Sequence, residues 1–520
     1  MTTPNFWVVD LFTLFRPEYA KQTEALLTDL IWRSKGSTLY RMPSAQESSY
    51  LEGLAGLERN DPKLPSMQRL IPRHAGKGTS RVVETVPIAE QAQVSNLFLS
   101  QEGIPTPTRA LLTSILAPQS RSMSSFSCVP IHPDVVVLQT LHGLVNKDRP
   151  PNLAEIIETI GWFGGSTYDG QVAQLLLRVF SQKSGAKEGL AGLVDELMPL
   201  LAQHTWSAFP DVSGMSSQSL PSWPTPCVGP RETAQKDQTA ISSHIWTPFS
   251  WFWEKWSTLC LPANGWYDAL PTRRFVDWAM CLLRTGLVFS YLWEADFYTK
   301  LHASIVERVY FSGQTIAAAS LQSMLEISTV LATIESPRLP SAQKHAWTAI
   351  SALLAKGYEA RRSFEHYITD NFSVPEGSTF YTSVEAWLDS IPTEDLRQLA
   401  TTLPADSREI AKNTKYFVKY LLLPRSSDDA AADQADLYYL ARSNTSDKFW
   451  FQPGPEWLVV VTGLLGTQPG GQCTLGALIR DLKRLGIRVE RSVLVGMLEE
   501  AGLTTDSPDA DDAIIIHSGF

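Results

Sequence analysis

Residues 272–296 read TRRFVDWAMCLLRTGLVFSYLWEAD, and the reading of this stretch decides the fold. Apolar and aromatic side chains fill most positions from Ala279 to Trp293. The run is too long for a strand and holds no Pro, so it predicts a helix from Thr272 to Asp296. A helix that is apolar on every side must be buried, either in lipid or in a protein core. Arg284 interrupts the run, and a membrane span wants about 18 or more uninterrupted apolar residues. The expectation is therefore a buried core helix, with no membrane association.

Such a helix needs others to cover it, and the flanking sequence predicts them. Residues 246–424 read as one Trp-rich helical domain, with further helices at Gln314–Ile334, Ser341–Thr369, Ser383–Ser390 and Asp406–Leu422. Pro337, Pro340, Pro375, Pro392, Pro404 and Pro424 punctuate them as helix-terminating residues. Upstream, residues 151–205 predict a helical subdomain. Asn152 is placed to cap a helix carrying Ile156, Ile157 and Ile160. Val172, Leu175, Leu176 and Val179 make a second stripe, and Leu190, Leu193, Leu197 and Leu200 a third. Residues 206–245 read as a Pro/Ser-rich linker or long loop, with Pro210, Pro221, Pro224, Pro226 and Pro230 among many Ser and Thr.

The N-terminal residues 1–150 read as a mixed α/β region. A helix is expected over Pro17–Arg33, and β-branched runs at Arg81–Ile88 and Asp134–Leu141 are separated by Pro, Gly and Ser. The apolar run Phe6–Phe15 is broken by Asp10 and lacks a basic leader, so no secretion signal is expected and the location is expected to be cytoplasmic. Residues 425–455 read as an acidic linker through Asp428, Asp429, Asp433 and Asp436. The fold class is thus mainly α and multi-domain: a mixed α/β N-terminal region, a helical middle and a C-terminal module over 456–520.

Composition narrows function more than it assigns it. The 520 residues are 44% hydrophobic and 19% charged, which suits a globular chain. The net charge of −10 means that any nucleic-acid contact must come from a local basic patch. Five scattered Cys with no C-x-x-C pair argue against disulfides and against structural zinc. None of the nine His shows H-x-x-x-H or H-E-x-x-H spacing. Around Gly76-Lys77-Gly78-Thr79 a phosphate-binding loop would need Gly at Ile71 and Ser or Thr at Gly78. Ser184/Lys187 and Ser341/Lys344 match S-x-x-K without the companion motifs of an acylating enzyme. No cofactor and no metal are expected.

The sixteen Trp are concentrated. Trp246, Trp251, Trp253, Trp256, Trp266, Trp278 and Trp293 fall close together, with Arg273 and Arg274 among them. Three readings are open: an aromatic core whose indole N–H groups find internal acceptors, a partner surface, and a base-stacking platform. The candidate partner-binding residues are Trp251, Trp253, Trp256, Trp266, Arg273 and Arg274.

The C-terminal 65 residues carry the clearest local pattern. A helix over Glu456–Leu465 is followed by the turn Gln468-Pro469-Gly470-Gly471. Thr474 caps a second helix with Leu475, Leu478, Ile479 and Leu482 on one face, and Gly486 ends it. Ile487–Val489 is a short strand, Glu490–Ala501 a third helix closed by Gly502, and Ile514–Ile516 a β-prone run after a polar turn, Thr504–Asp512. This order resembles a winged helix-turn-helix domain. The resemblance implies either protein contact or nucleic-acid contact through the third helix. Arg480, Lys483 and Arg484 lie at i, i+3 and i+4, with Arg488 and Arg491 nearby, as candidate phosphate contacts. Glu490, Glu499, Glu500 and the acidic turn (Asp506, Asp509, Asp511, Asp512) weigh toward protein contact.

A second, shorter resemblance lies at Arg361 and His366. The spacing R-x4-H within a helix is similar to that of HEPN-type ribonucleases, which cleave RNA without metal; here Arg362 stands where a small polar residue is usual. Histidine can exchange a proton near neutral pH and Arg can steady phosphate charge. The expected function is a non-enzymatic adaptor or scaffold subunit of a multi-protein complex that handles nucleic acid, as in prokaryotic antiviral defence assemblies. Its partners would be other subunits such as an ATPase, helicase or nuclease, with DNA or RNA. The alternatives are a HEPN-like ribonuclease using Arg361 and His366, and a DNA-binding transcription regulator acting through residues 456–520.

Overall fold

The computed structural model describes residues 14, 17, 26–27, 30, 40–41, 153–166, 170–183, 225–226, 247–310, 325–333, 350–364, 391–401, 407–424, 436–445, 448–504 and 514–519. These residues are 71% helical with few strands, so the chain is mainly α. Most of residues 1–150 lies outside them, including the runs at Arg81–Ile88 and Asp134–Leu141. So do the stripe Leu190–Leu200, the predicted helix Ser383–Ser390 and nearly all of 206–245. Leu26, Leu27 and Leu30 are helical and wholly buried, as the helix expected over Pro17–Arg33 requires.

In chain order, β1 (Tyr40–Arg41) pairs antiparallel with β2 (Thr225–Pro226). Between them lie α1 (Leu153–Gly164) and α2 (Gln171–Lys183). The buried Glu158 of α1 accepts the backbone N–H groups of Gly170, Val172 and Ala173 at 3.0, 3.2 and 2.8 Å. A carboxylate borrowed from the preceding helix thus satisfies the orphan donors that open α2, where the helix dipole favours negative charge.

α3 (Pro248–Cys260) opens on a reciprocal cap. Thr247 Oγ1 accepts from Ser250 N at 3.3 Å, and Ser250 Oγ accepts from Thr247 N at 3.2 Å, with Pro248 in the first turn. The short α4 (Trp266–Ala269) follows, then α5 (Thr272–Tyr310). At 39 residues α5 continues well past the predicted end at Asp296. The polar residues that look like a helix end are instead buried and partnered. Asp296 accepts the backbone N–H of Ser328 at 2.8 Å and pairs with Lys300 at 2.8 Å.

Every residue of α5 from Trp278 to Tyr298 is buried. By length and composition α5 could cross a membrane, yet 94% of its most apolar window is covered by the rest of the protein. Its cover comes from α1, α3, α7 (Thr393–Thr401), α8 (Ser407–Leu422) and α9 (Pro455–Leu465), with residues 350–364 forming the intervening α6. Two buried ionic centres tie distant segments to it. Glu294 accepts from Leu14 N at 2.7 Å, the Tyr358 hydroxyl at 3.0 Å and Arg361 at 3.0 Å. Arg284 donates to both oxygens of Asp436, at 3.1 and 2.8 Å, and to the carbonyls of Leu421 and Leu423 at the end of α8. All four acceptor oxygens converge on one guanidinium fork, which explains why a cation is tolerated in the middle of an apolar helix.

The region predicted as a helix over Gln314–Ile334 is corrected at its end. Residues 327–330 are in no helix and β3 (Leu331–Ala332) is a strand, paired in parallel with β7 (Ile487–Arg488). The segment is rich in β-branched Ile327, Thr329, Val330 and Thr333, and tertiary pairing wins: Val330 N donates to Gly486 O at 2.9 Å and Thr333 N to Arg488 O at 3.0 Å. The span 425–455, read as a linker, contains a hairpin of β4 (Ala441–Thr445) and β5 (Lys448–Phe451).

Helices cross closely where glycine permits it. At Gly357 of α6 a Cβ would lie 2.3 Å from the carbonyl oxygen of Ala295. Gly357→Ala should therefore force α6 off α5 and cost about 1–3 kcal/mol. Urea unfolding followed by Trp fluorescence checks this, and wild-type stability in the variant would show that the crossing can relax.

Candidate nucleic-acid interface

The C-terminal segment runs α9, β6 (Gln472–Thr474), α10 (Leu475–Arg484), β7, α11 (Arg491–Glu500) and β8 (Ile515–His517). β6 and β8 pair antiparallel, with Cys473 opposite Ile516. Thr474 caps α10 by accepting from Ala477 N at 3.2 Å. Gly486, at φ +69°, takes the left-handed turn that ends it. Gly502, also at φ +69°, donates to Glu499 O while Leu503 N reaches back to Leu498 O, both at 2.9 Å, which closes α11 in a Schellman turn.

α9 is shared between this segment and the helical body. Trp457 is fully buried and donates its indole N–H to Thr285 Oγ1 of α5 at 3.0 Å. Gly463 brings α9 against Trp266 and Trp278. α10 is fixed to α3 by a buried ionic cluster. Asp481 accepts the Trp251 indole N–H at 2.7 Å and lies 3.4 Å from the ammonium of Lys255, which is 1% exposed. Arg484 bridges Asp481 at 3.2 Å and Glu254 at 2.7 Å. Burial works to raise the Glu254 carboxyl, but Lys255 and Arg484 beside it outweigh this and hold it below its ordinary value. Burial pushes the neighbouring Cys473 thiol up to about 11, so it stays protonated and unreactive at neutral pH.

The basic residues read from sequence divide accordingly. Arg480, Lys483, Arg488 and Arg491 are exposed. Arg484 turns inward and serves the α3–α10 contact. Spacing on an isolated helix groups Arg480, Lys483 and Arg484, but the docking of α10 separates them. On α11 only Leu494 and Leu498 are buried. Arg491, Ser492, Glu499 and Glu500 are exposed, Val493, Val495 and Met497 are half-buried, and a Cβ on Gly496 would meet nothing within 4 Å. The acidic turn with Asp506, Asp509, Asp511 and Asp512 lies outside the described residues.

Of the three readings of the Trp cluster, the burial of its rings fits the aromatic core. Trp251, Trp256 and Trp266 are wholly buried, and Trp253 is half-buried against Gly161 and Gly164 of α1. Trp256 donates to Val172 O at 3.1 Å, Trp266 to Thr467 O at 3.0 Å and Trp293 to Leu325 O at 2.7 Å. A helix as apolar as α5 needs bulky cover on all sides, and these rings supply it while their N–H groups find internal acceptors. Arg274 binds Glu456 at 2.7 Å and the Tyr438 hydroxyl at 3.2 Å, joining α5 to α9. Arg273 is exposed and pairs with Asp277 one turn on.

Arg361, the cation of the ribonuclease resemblance, is committed inward to Glu294 and to the carbonyl of Leu14 at 2.6 Å. His366 lies outside the described residues. Among the described residues, no group of three or more His, Cys, Asp or Glu is placed to hold a metal. No protein-family model, curated protein or solved structure matches the chain.

Proposed function

We propose that the protein is a non-enzymatic adaptor subunit of a multi-protein complex that handles nucleic acid, with a winged-helix-like module at its C-terminus. The observation that carries this reading is α11, which opens its outer side around Gly496 while α10 behind it is tied to α3 through Lys255, Asp481 and Arg484. A rigid mount with one open helix face is what a docking subunit needs, and the mixed charge there suits a protein partner. The sequence offers no complete catalytic motif, which supports the same reading.

The test is a native pull-down of the tagged chain with and without nuclease, read by mass spectrometry, beside a Gly496→Arg variant. A Cβ there meets nothing within 4 Å, so the variant should keep its fold, which its thermal unfolding checks. An ATPase, helicase or nuclease should co-purify at fixed stoichiometry, survive nuclease and be lost from the variant. A chain that comes down alone, or a partner indifferent to Gly496→Arg, would overturn the proposal. The second reading, a regulator of one duplex sequence, draws support from exposed Arg480, Lys483, Arg488 and Arg491. It requires salt-sensitive binding to one duplex over others.

A further inference from the structure

Leu14 is held in the way a bound peptide is held. It lies in neither a helix nor a strand, so its main-chain groups need partners from elsewhere. Two side chains far along the chain supply them. Its N–H donates to Glu294 Oε1 of α5 at 2.7 Å, and its carbonyl accepts from Arg361 of α6 at 2.6 Å. Its own side chain is wholly buried, and Pro17 beyond it is buried as well. The two holding groups also hold each other. Arg361 donates to Glu294 Oε1 at 3.0 Å, and the Tyr358 hydroxyl donates to Glu294 Oε2 at 3.0 Å. The Arg361 guanidinium lies 5.7 Å from the centre of the Tyr358 ring. Gly357, packed on the backbone of Ala295, brings α6 close enough to α5 for these side chains to meet.

We infer that Glu294 and Arg361 form a peptide-binding clamp, and that the segment at Leu14 is a releasable strap seated in it. A carboxylate that accepts the N–H and a guanidinium that donates to the C=O read both main-chain groups of one residue, each through a charge-assisted bond. A helical residue spends those groups inside its helix, so the clamp takes a peptide in non-helical form. The buried place of the Leu14 side chain adds a demand for an apolar residue. A phosphate would meet the Glu294 carboxylate and be repelled, which sets the site apart from nucleic-acid chemistry. When the strap leaves, Leu14 loses two hydrogen bonds and its burial. Glu294, Arg361 and Tyr358 keep one another, so the clamp is formed before a peptide enters it. Leu26, Leu27 and Leu30, wholly buried, hold the chain further on, so a released strap stays near its site. The inference goes beyond the proposed function and uses no residue of the C-terminal module, so the two can fail separately.

The experiment is fluorescence anisotropy of a labelled synthetic peptide, residues 9–20 of this sequence, with the full chain. In the full chain, Leu14→Asp sets a second carboxylate against Glu294 and empties the clamp. This variant should bind the peptide. Wild type should bind it about 10-fold more weakly or worse, because its own strap competes at an effective concentration of about a millimolar. A peptide whose Leu14 amide is replaced by an ester lacks the donor to Glu294. It should bind the variant roughly 10- to 100-fold more weakly than the amide. A second measurement needs no variant. Hydrogen exchange at the Leu14 amide of wild type, resolved by electron-transfer fragmentation, should outpace the buried middle of α5 by about 10-fold or more, since a strap opens ahead of the body. That readout decides the matter if Leu14→Asp does not fold. A folded variant that takes no peptide, equal binding by wild type and variant, or an ester peptide as tight as the amide would overturn the inference. So would a Leu14 amide that exchanges only together with α5.

Discussion

Glu294→Ala should destabilise the protein by about 3–5 kcal/mol, because it leaves a buried cation without its counter-charge. Glu294 is fully buried and is the acceptor for Arg361, for the Tyr358 hydroxyl and for the backbone N–H of Leu14. Arg361 is 12% exposed, so water cannot replace the lost carboxylate. The Leu14 and Tyr358 donors lose an acceptor in the same step, at a cost of about 1–3 kcal/mol for a group left unsatisfied. Glu294→Gln should cost less, since its amide oxygen still accepts from Leu14 N and Arg361, while the charge and the acceptor for the Tyr358 hydroxyl are lost. Urea unfolding read by Trp fluorescence measures both. An alanine variant within about 1 kcal/mol of wild type would mean that Arg361 reaches solvent when released. The same commitment of Arg361 to Glu294 means that this guanidinium is held by the core before any RNA could reach it.

Asp481→Ala is the second large effect, also about 3–5 kcal/mol. It strands Lys255, whose side chain is 1% exposed, with only the half-exposed Glu254 beside it. It also removes the acceptor of the Trp251 indole N–H. Because breaking a buried pair costs more than replacing both partners, Lys255→Met combined with Asp481→Leu should recover most of the loss. If the double variant is as unstable as Asp481→Ala alone, the cost lies in the Trp251 and Arg484 contacts instead. Limited proteolysis should show the C-terminal segment loosened in the single variant, since this cluster joins α10 to α3.

Much of the local structure was legible because it rests on short-range rules. Ile156, Ile157 and Ile160 at helical spacing mark α1, and Thr474 and Gly486 bound α10 where a cap and a left-handed glycine belong. The losses at α5, at residues 327–333 and at Arg484 come from long-range pairing. α5 continues past Asp296 because that carboxylate meets Ser328, a partner no spacing rule reveals. Residues 327–333 give up helix, and Leu331–Ala332 form a strand, because Gly486 and Arg488 offer backbone partners far along the chain. Arg484 resembles a phosphate contact on α10 alone and becomes an interior bridge once α3 is present. α8 shows the converse. A helix over Asp406–Leu422 was legible, but only burial of Phe417 and Val418 tells which of its sides faces the core.

The enclosure of α5 sets a problem of timing during synthesis. Its apolar surface is complete when Tyr310 has been made, with α1 and α3 already available to cover part of it. α7, α8 and α9 come later, and α9 ends at Leu465, roughly 150 residues further along the chain. At about 5–20 residues per second, the nascent helix waits on the order of 10–30 s for its last cover. During that wait a segment with the length and hydropathy of a membrane span stands partly bare at the ribosome. Slowing synthesis between residues 310 and 465 should therefore lengthen the exposure of α5 to aggregation.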